Sequence, residues 1–255
     1  MLSKTLQEDF GFEATRADPD VYRRAATHDD GFEHYEHIFV YVDDLLILLK
    51  QPMNWMKKLS AIYDLKEDSV GPPDTHLGAQ IGKTQLPDGF TTWHMEAEKY
   101  VKNAIEVVQK LLDEDGNGPQ IKQAKTPFPI SHKPELDVTE ELDDAMISRF
   151  RQLIGILRWA VELGRVDVCL EVSVLSQYLA SPRQGHLETA YHLFACLKAH
   201  PQVKLVFDPT EPFVDESRFQ KVDWTEAYGD VVEELPARCL LLSLVLLMQI
   251  MQGIV

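Results

Sequence analysis

Apolar residues along this chain recur at two spacings, and the two spacings predict different elements. Ile38 to Tyr41 and Leu45 to Leu49 are short runs of β-branched, aromatic and leucine residues, which predicts two strands with Val42-Asp43-Asp44 as the turn between them. "HLGAQIG" and "FTTWHM" predict two more short strands joined across Pro87-Asp88-Gly89. The first 36 residues are polar and broken by turn chemistry around Pro19 and Gly31, which predicts a helix end, a strand and a hairpin turn.

Helical spacing takes over elsewhere. Pro52 can open a helix that carries Trp55, Leu59 and Ile62. Tyr100, Val101, Ala104, Ile105, Val108, Leu111 and Leu112 form an amphipathic stripe that "DEDGNGP" ends. "KTPFPISHKPE" holds three prolines and reads as a linker. Beyond it, Asp137 and Glu140 have the form of a helix cap with its reciprocal partner, before a helix carrying Phe150, Leu153, Ile154, Leu157 and Val161 that Gly164 stops. Val168, Val172, Leu175 and Leu179 mark another helix. Ser181, with Pro182 and Gln184, offers a cap for a last one through Tyr191, Phe194 and Leu197.

Composition narrows what such a chain can be. With 255 residues and 45% hydrophobic content it can bury one large core or two modest ones. Cys169, Cys196 and Cys239 show no metal-binding spacing, and their odd count without a signal peptide predicts reduced thiols and an intracellular location, cytoplasmic or nuclear. A formal net charge of -16 opposes phosphate backbones on average, so nucleic-acid binding would need local basic stripes.

The unusual feature is the adjacent pair Asp43-Asp44 between two apolar strands. A two-residue hairpin favours Asn-Gly or Asp-Gly, and Asp-Asp supplies no glycine while adding like-charge repulsion. A divalent cation reverses that penalty, because Mg²⁺ takes one or two carboxylates together with substrate phosphates. An ordinary solvated turn is the plainer reading of the four letters alone.

The company of the motif changes the balance. "GFEATRADPDVY", "YVDDLLIL", "HLGAQIG" and "EKYVKNAIEVV" occur in order, and "FRQLIGILRWAVELGRVDVCLEVSVLSQYLASPRQGHLETAYHLFACLKAHP" follows. Together these resemble the reverse transcriptases of Ty1/copia retrotransposons, from about residue 10 to 225. The resemblance implies an α+β fold: a partial palm of antiparallel strands with helices over 1–120, then a mostly helical thumb or connection region over 121–225. It implies an RNA-directed DNA polymerase using two metals, Mg²⁺ or Mn²⁺, on an RNA or DNA template-primer with dNTP. Asp43 becomes a metal ligand and Asp44 its supporting carboxylate, with Tyr41 and Val42 facing the primer end. Leu77 and Gly78, within "HLGAQIG", fall where the family places its primer grip. For His76 beside them, a strand-edge residue is an equal reading.

The family's first metal-binding aspartate and its Gly-Leu-x-Gln region lie upstream of the first matching residue, and neither Asp18 nor Asp20 matches that position. The chain alone is therefore expected to be inactive, with a sheet edge exposed and self-association through that edge or the apolar tail. The alternative is a catalytically dead remnant that binds nucleic acid or protein.

Residues 226–255 abandon the texture of the rest. "CLLLSLVLLMQIMQGIV" is short for a membrane span and includes Gln249 and Gln252, so no stable membrane partner is expected, although a tail anchor competes. The family's ribonuclease H domain should begin nearby with a segment like Val-Asp-Ala-Asp-His-Ala-Gly-Asn. Read one base late, that segment becomes Leu-Met-Gln-Ile-Met-Gln-Gly-Ile, the sequence of 247–254. A shifted frame is the expectation. Among the basic residues, Arg158 and Arg165 stand two turns apart near one helix face, a spacing suited to tracking phosphates.

Overall fold

A computed structural model of the chain describes residues 2–29, 31–42, 44–65, 70–114, 120–129 and 133–210. Asp43 and the whole apolar tail, with its expected frame shift, lie outside the described residues. The fold is mixed: six α-helices and two antiparallel four-stranded sheets among the described residues. Those residues form two compact units, one of 2–73, 83–93 and 207–210, the other of 74–82 and 94–206.

The first unit begins with α1 (Leu2–Glu8) and then builds a sheet from β1 (Glu13–Ala14), β2 (Val21–Thr27), β3 (Glu33–Tyr41) and β4 (Asp44–Leu48), paired in that order. Helix α2 (Pro52–Ser60) follows, with Pro52 in its first turn as its missing N–H allows. Leu6, Phe12, Tyr22, Ile38, Leu49, Trp55 and Leu59 make the core. Ile62 lies beyond the end of α2 and is exposed, so it does not extend the apolar stripe. Strand β3 starts five residues before the apolar run, at Glu33, and pairs along its length with β2 from Thr27↔Glu33 to Val21↔Phe39. Polar residues can occupy its core face because Glu36, 7% exposed, is matched there: Arg24 Nε donates to Glu36 Oε2 at 3.1 Å, and Arg24 Nη1 donates to the Phe10 carbonyl at 2.7 Å.

The second sheet has the order β5 (Thr75–His76), β6 (Ala79–Gln85), β7 (Thr91–Glu96) and β8 (Lys204–Val206). "HLGAQIG" is thus a tight hairpin rather than one strand: Leu77 and Gly78, both at positive φ (54° and 96°), turn the chain between β5 and β6. In the second unit, α3 (Glu98–Glu114), α4 (Asp144–Glu162), α5 (Cys169–Ser176) and α6 (Gln184–Ala199) surround a core that includes Val101, Val108, Phe150, Leu157, Leu193 and Phe194. The expected boundary near residue 120 falls inside this unit, where α3 contacts both α4 and α6.

Two caps differ from the sequence expectation. Asp143, not Asp137, caps α4 by accepting from the Met146 N–H at 2.8 Å. Asp137 instead accepts from the N–H and hydroxyl of Thr139, a local turn that competes with helix entry. At α6, Arg183 rather than Ser181 precedes the helix. His186 Nδ1 accepts from the Arg183 N–H at 3.0 Å, which leaves Nε2–H to donate to the Pro134 carbonyl. The same imidazole stacks on Tyr178 at 3.9 Å between ring centroids. This ring ties the proline-rich stretch to the helix.

Candidate functional site

Strands β3 and β4 hold the predicted tip through apolar cross-strand pairs. Val40 faces Leu45, Phe39 faces Leu46 and Ile38 faces Ile47, with Ile38 fully buried beneath them. Tyr41 pairs with Asp44 across the turn that Val42 begins. Val42 adopts φ 55° and is 85% exposed. A β-branched residue rarely occupies this left-handed region, and the tight turn forces it there without a glycine. Asp44, the first residue of β4, is exposed, and Tyr41 is half-exposed.

The donor chemistry of this tip suits a hard cation. The Asp44 carboxylate, exposed at the start of β4, is a hard oxygen donor of the kind that can join the waters and phosphates that Mg²⁺ prefers. Among the described residues no group of three or more His, Cys, Asp or Glu side chains is placed to hold a metal, and Asp43 is not among them.

Behind the tip, β3 presents Tyr35, His37 and Phe39 on its outer face, with ring centroids 6.4 and 6.2 Å apart in succession. The Arg23 guanidinium lies 5.1 Å from the Tyr35 ring centroid. Burial pushes the His37 imidazole below its ordinary value; a backbone hydrogen bond at Tyr35 opposes this, and the charges of Arg23 and His34 add to it.

Leu77 and Gly78 stand apart from the acidic tip in chain position, in the second unit. Leu77 packs against that unit's core, while Gly78 is exposed. His76, in β5, is half-buried.

The two arginines assigned to a phosphate track part company. Arg158 is exposed on α4. Arg165 is fully buried, and its Nε and Nη2 donate to the two carboxylate oxygens of Asp167, each at 2.8 Å. It cannot track phosphates, because Gly164 at φ 104° ends the helix and turns the following residue into the core. Two other arginines of α4 are also engaged: Arg149 donates to the Leu111 carbonyl and Arg151 to the Leu179 carbonyl.

Sequence reasoning missed a cleft of about 390 Å³ in the first unit, lined by Asp9, Arg24, Glu36, Lys50, Asn54 and Trp55 among others. These residues are scattered over 9–58, and no local pattern links them.

Comparison with known proteins gives three relatives. The chain is 30% identical over 158 residues to a transposon Ty5-1 protein of Saccharomyces cerevisiae, covering 60% of this chain and 46% of that protein. It is 25% identical over 207 residues to the retrovirus-related Pol polyprotein from transposon TNT 1-94 of Nicotiana tabacum, 78% of this chain and 14% of the polyprotein. A third match, at 24% over 168 residues, is the retrovirus-related Pol polyprotein from transposon RE1 of Arabidopsis thaliana, covering 65% of this chain and 10% of that one. The similarity is to retrotransposon proteins. It supports a retroelement-derived chain that spans less than half the length of each relative. No family model matches the chain, and no solved structure does.

Proposed function

We propose that the chain is part of a reverse-transcriptase palm of Ty1/copia type, in which Asp43 and Asp44 hold a divalent cation at the primer end. The observation that carries this reading is the turn itself: Tyr41 and Asp44 face each other across two residues, and Val42 stands exposed at φ 55° on strands bound by apolar pairs. Similarity to two transposon Pol polyproteins supports it. A sheet that fixes an acidic tip in the open serves positioning and charge, which is what phosphoryl transfer asks of a protein.

When bound, Mg²⁺ or Mn²⁺ neutralises triphosphate charge and polarises the primer hydroxyl. The protein's part is to hold the carboxylates. Asp44 is set by its pairing with Tyr41, and the Tyr41 side chain flanks the place where a primer terminus would rest. Leu77 and Gly78 are assigned to the primer grip, Arg158 to a template-primer phosphate, and residues 1–120 to the partial palm. The helices from α4 onward are assigned to the thumb or connection region.

A lone adjacent pair of carboxylates is a weak site for two metals, so the 255-residue chain is not expected to extend a primer. Labelled dNTP, primed RNA template and Mg²⁺ or Mn²⁺ test this directly. No incorporation is predicted, and incorporation that Asp43→Asn abolishes would overturn the inactivity while upholding the assignment of the tip.

A further inference from the structure

Strand β4 ends the first sheet, and among the described residues no strand pairs with its outer edge. Tyr41 and Asp44 flank a two-residue turn and so form a hydrogen-bonded pair, after which hydrogen-bonded and open pairs alternate. Leu46 and Leu48 therefore bond inward to β3. The N–H and C=O groups of Leu45 and Ile47 point outward.

Natural edges are blunted by lysine, proline or a bulge, and Asp44–Leu48 has none of these. The side chains of Leu45, Leu46 and Ile47 are all half-buried, so each retains apolar surface for a further strand to cover.

The charge pattern selects the occupant. Residues 44–50 read Asp-Leu-Leu-Ile-Leu-Leu-Lys, with one anion and one cation bracketing five apolar residues. We propose that this edge pairs, antiparallel and about a two-fold axis, with the same edge of a second copy of the chain. With Ile47 opposite the partner's Ile47, Leu46 meets the partner's Leu48 and Asp44 meets the partner's Lys50. Both ends then carry unlike charges, whereas parallel pairing in register would set like charges side by side. Lys50 Nζ lies 2.6 Å from Asp29 Oδ2, but Asp29 is 89% exposed, so exchanging that ion pair for one with Asp44 costs little. The result is a continuous eight-stranded sheet. This inference stands on the strand edge and not on the nucleotidyl-transfer reading.

Sedimentation equilibrium and hydrogen exchange on the 255-residue chain test it, with readouts independent of primer extension. A dimer is expected, in which the Leu45 and Ile47 amides become protected as concentration rises. Asp44→Lys and Lys50→Asp should each raise the dissociation constant about tenfold, and the double variant should return it to within about threefold of the original. A monomer at all concentrations would overturn the inference. So would a dimer whose strength ignores both single variants, as association through another surface would, or one that leaves those two amides exchanging freely.

Discussion

Tyr41 and Asp44 face each other across the β3–β4 ladder with two residues between them, so the backbone itself places the acidic tip. Val42 bears the strain of that turn at φ 55°. Val42→Gly should therefore stabilise the first unit by up to about 1 kcal/mol, since the left-handed penalty of roughly 1–2 kcal/mol exceeds the entropy that glycine loses on folding. Urea midpoints of the two proteins give the comparison. An unchanged or lower midpoint would mean that the turn is not strained.

The Arg165–Asp167 fork predicts a separation of stability from binding. Arg165→Ala removes a fully buried guanidinium and should cost roughly 2–4 kcal/mol in denaturant unfolding, moderated because Asp167 is 37% exposed and can be solvated. Arg158→Ala should leave stability within about 0.5 kcal/mol. If α4 meets a phosphate backbone there, the same variant should lower the salt slope of filter binding to primed template by about one. A slope unchanged by Arg158→Ala removes this residue from the track.

Acid should weaken both units. Burial is the largest cause lowering the imidazoles of His37 and His94 below 6.5, with Lys204 adding to it at His94 and Glu96 opposing it. The unfolded chain then takes up protons near 6.5 while the folded chain does not. Stability is therefore fully present above that value and falls as pH drops from it toward the folded values. Urea midpoints measured from pH 8 to 5 should decline over that window, and His37→Gln with His94→Gln should flatten the decline. A double variant with the original slope would place the effect elsewhere.

Gly82 is a packing prediction. A Cβ there would come within 2.8 Å of His94 Cε1, and the His94 ring, 5% exposed, has little room to move. Gly82→Ala should cost about 1–3 kcal/mol by overpacking. Gly155→Ala, where nothing lies within 4 Å of the added atom, is the control and should be neutral or slightly stabilising.

Much of this architecture was legible because periodicity reports burial. The β3–β4 hairpin, the stripe of α3 and the α4 stop at Gly164 all follow from residue spacing. Caps were harder, since Asp137 and Asp143 are both capping residue types, and what separates them is that Asp137 is taken up by a local turn with Thr139 while Asp143 accepts from the Met146 N–H. Strand β3 extends through Glu33 to His37, where no apolar alternation marks it, because Arg24 from β2 matches Glu36. The Leu77-Gly78 turn carried a signal in its glycine at the second turn position. Arg165 was misplaced because helical spacing was projected past the glycine that ends the helix. The cleft between 9 and 58 joins residues distant in sequence, and no window along the chain could contain it.

The tip's role as a cation site is tested most directly by Mn²⁺ titration of the isotope-labelled 255-residue chain, followed by paramagnetic broadening of its backbone amides. The account predicts that the signals of Tyr41, Val42 and Asp44 broaden first, and that Asp43→Asn with Asp44→Asn removes the effect while the fold persists. Broadening centred elsewhere, or unchanged in the double variant, would contradict it.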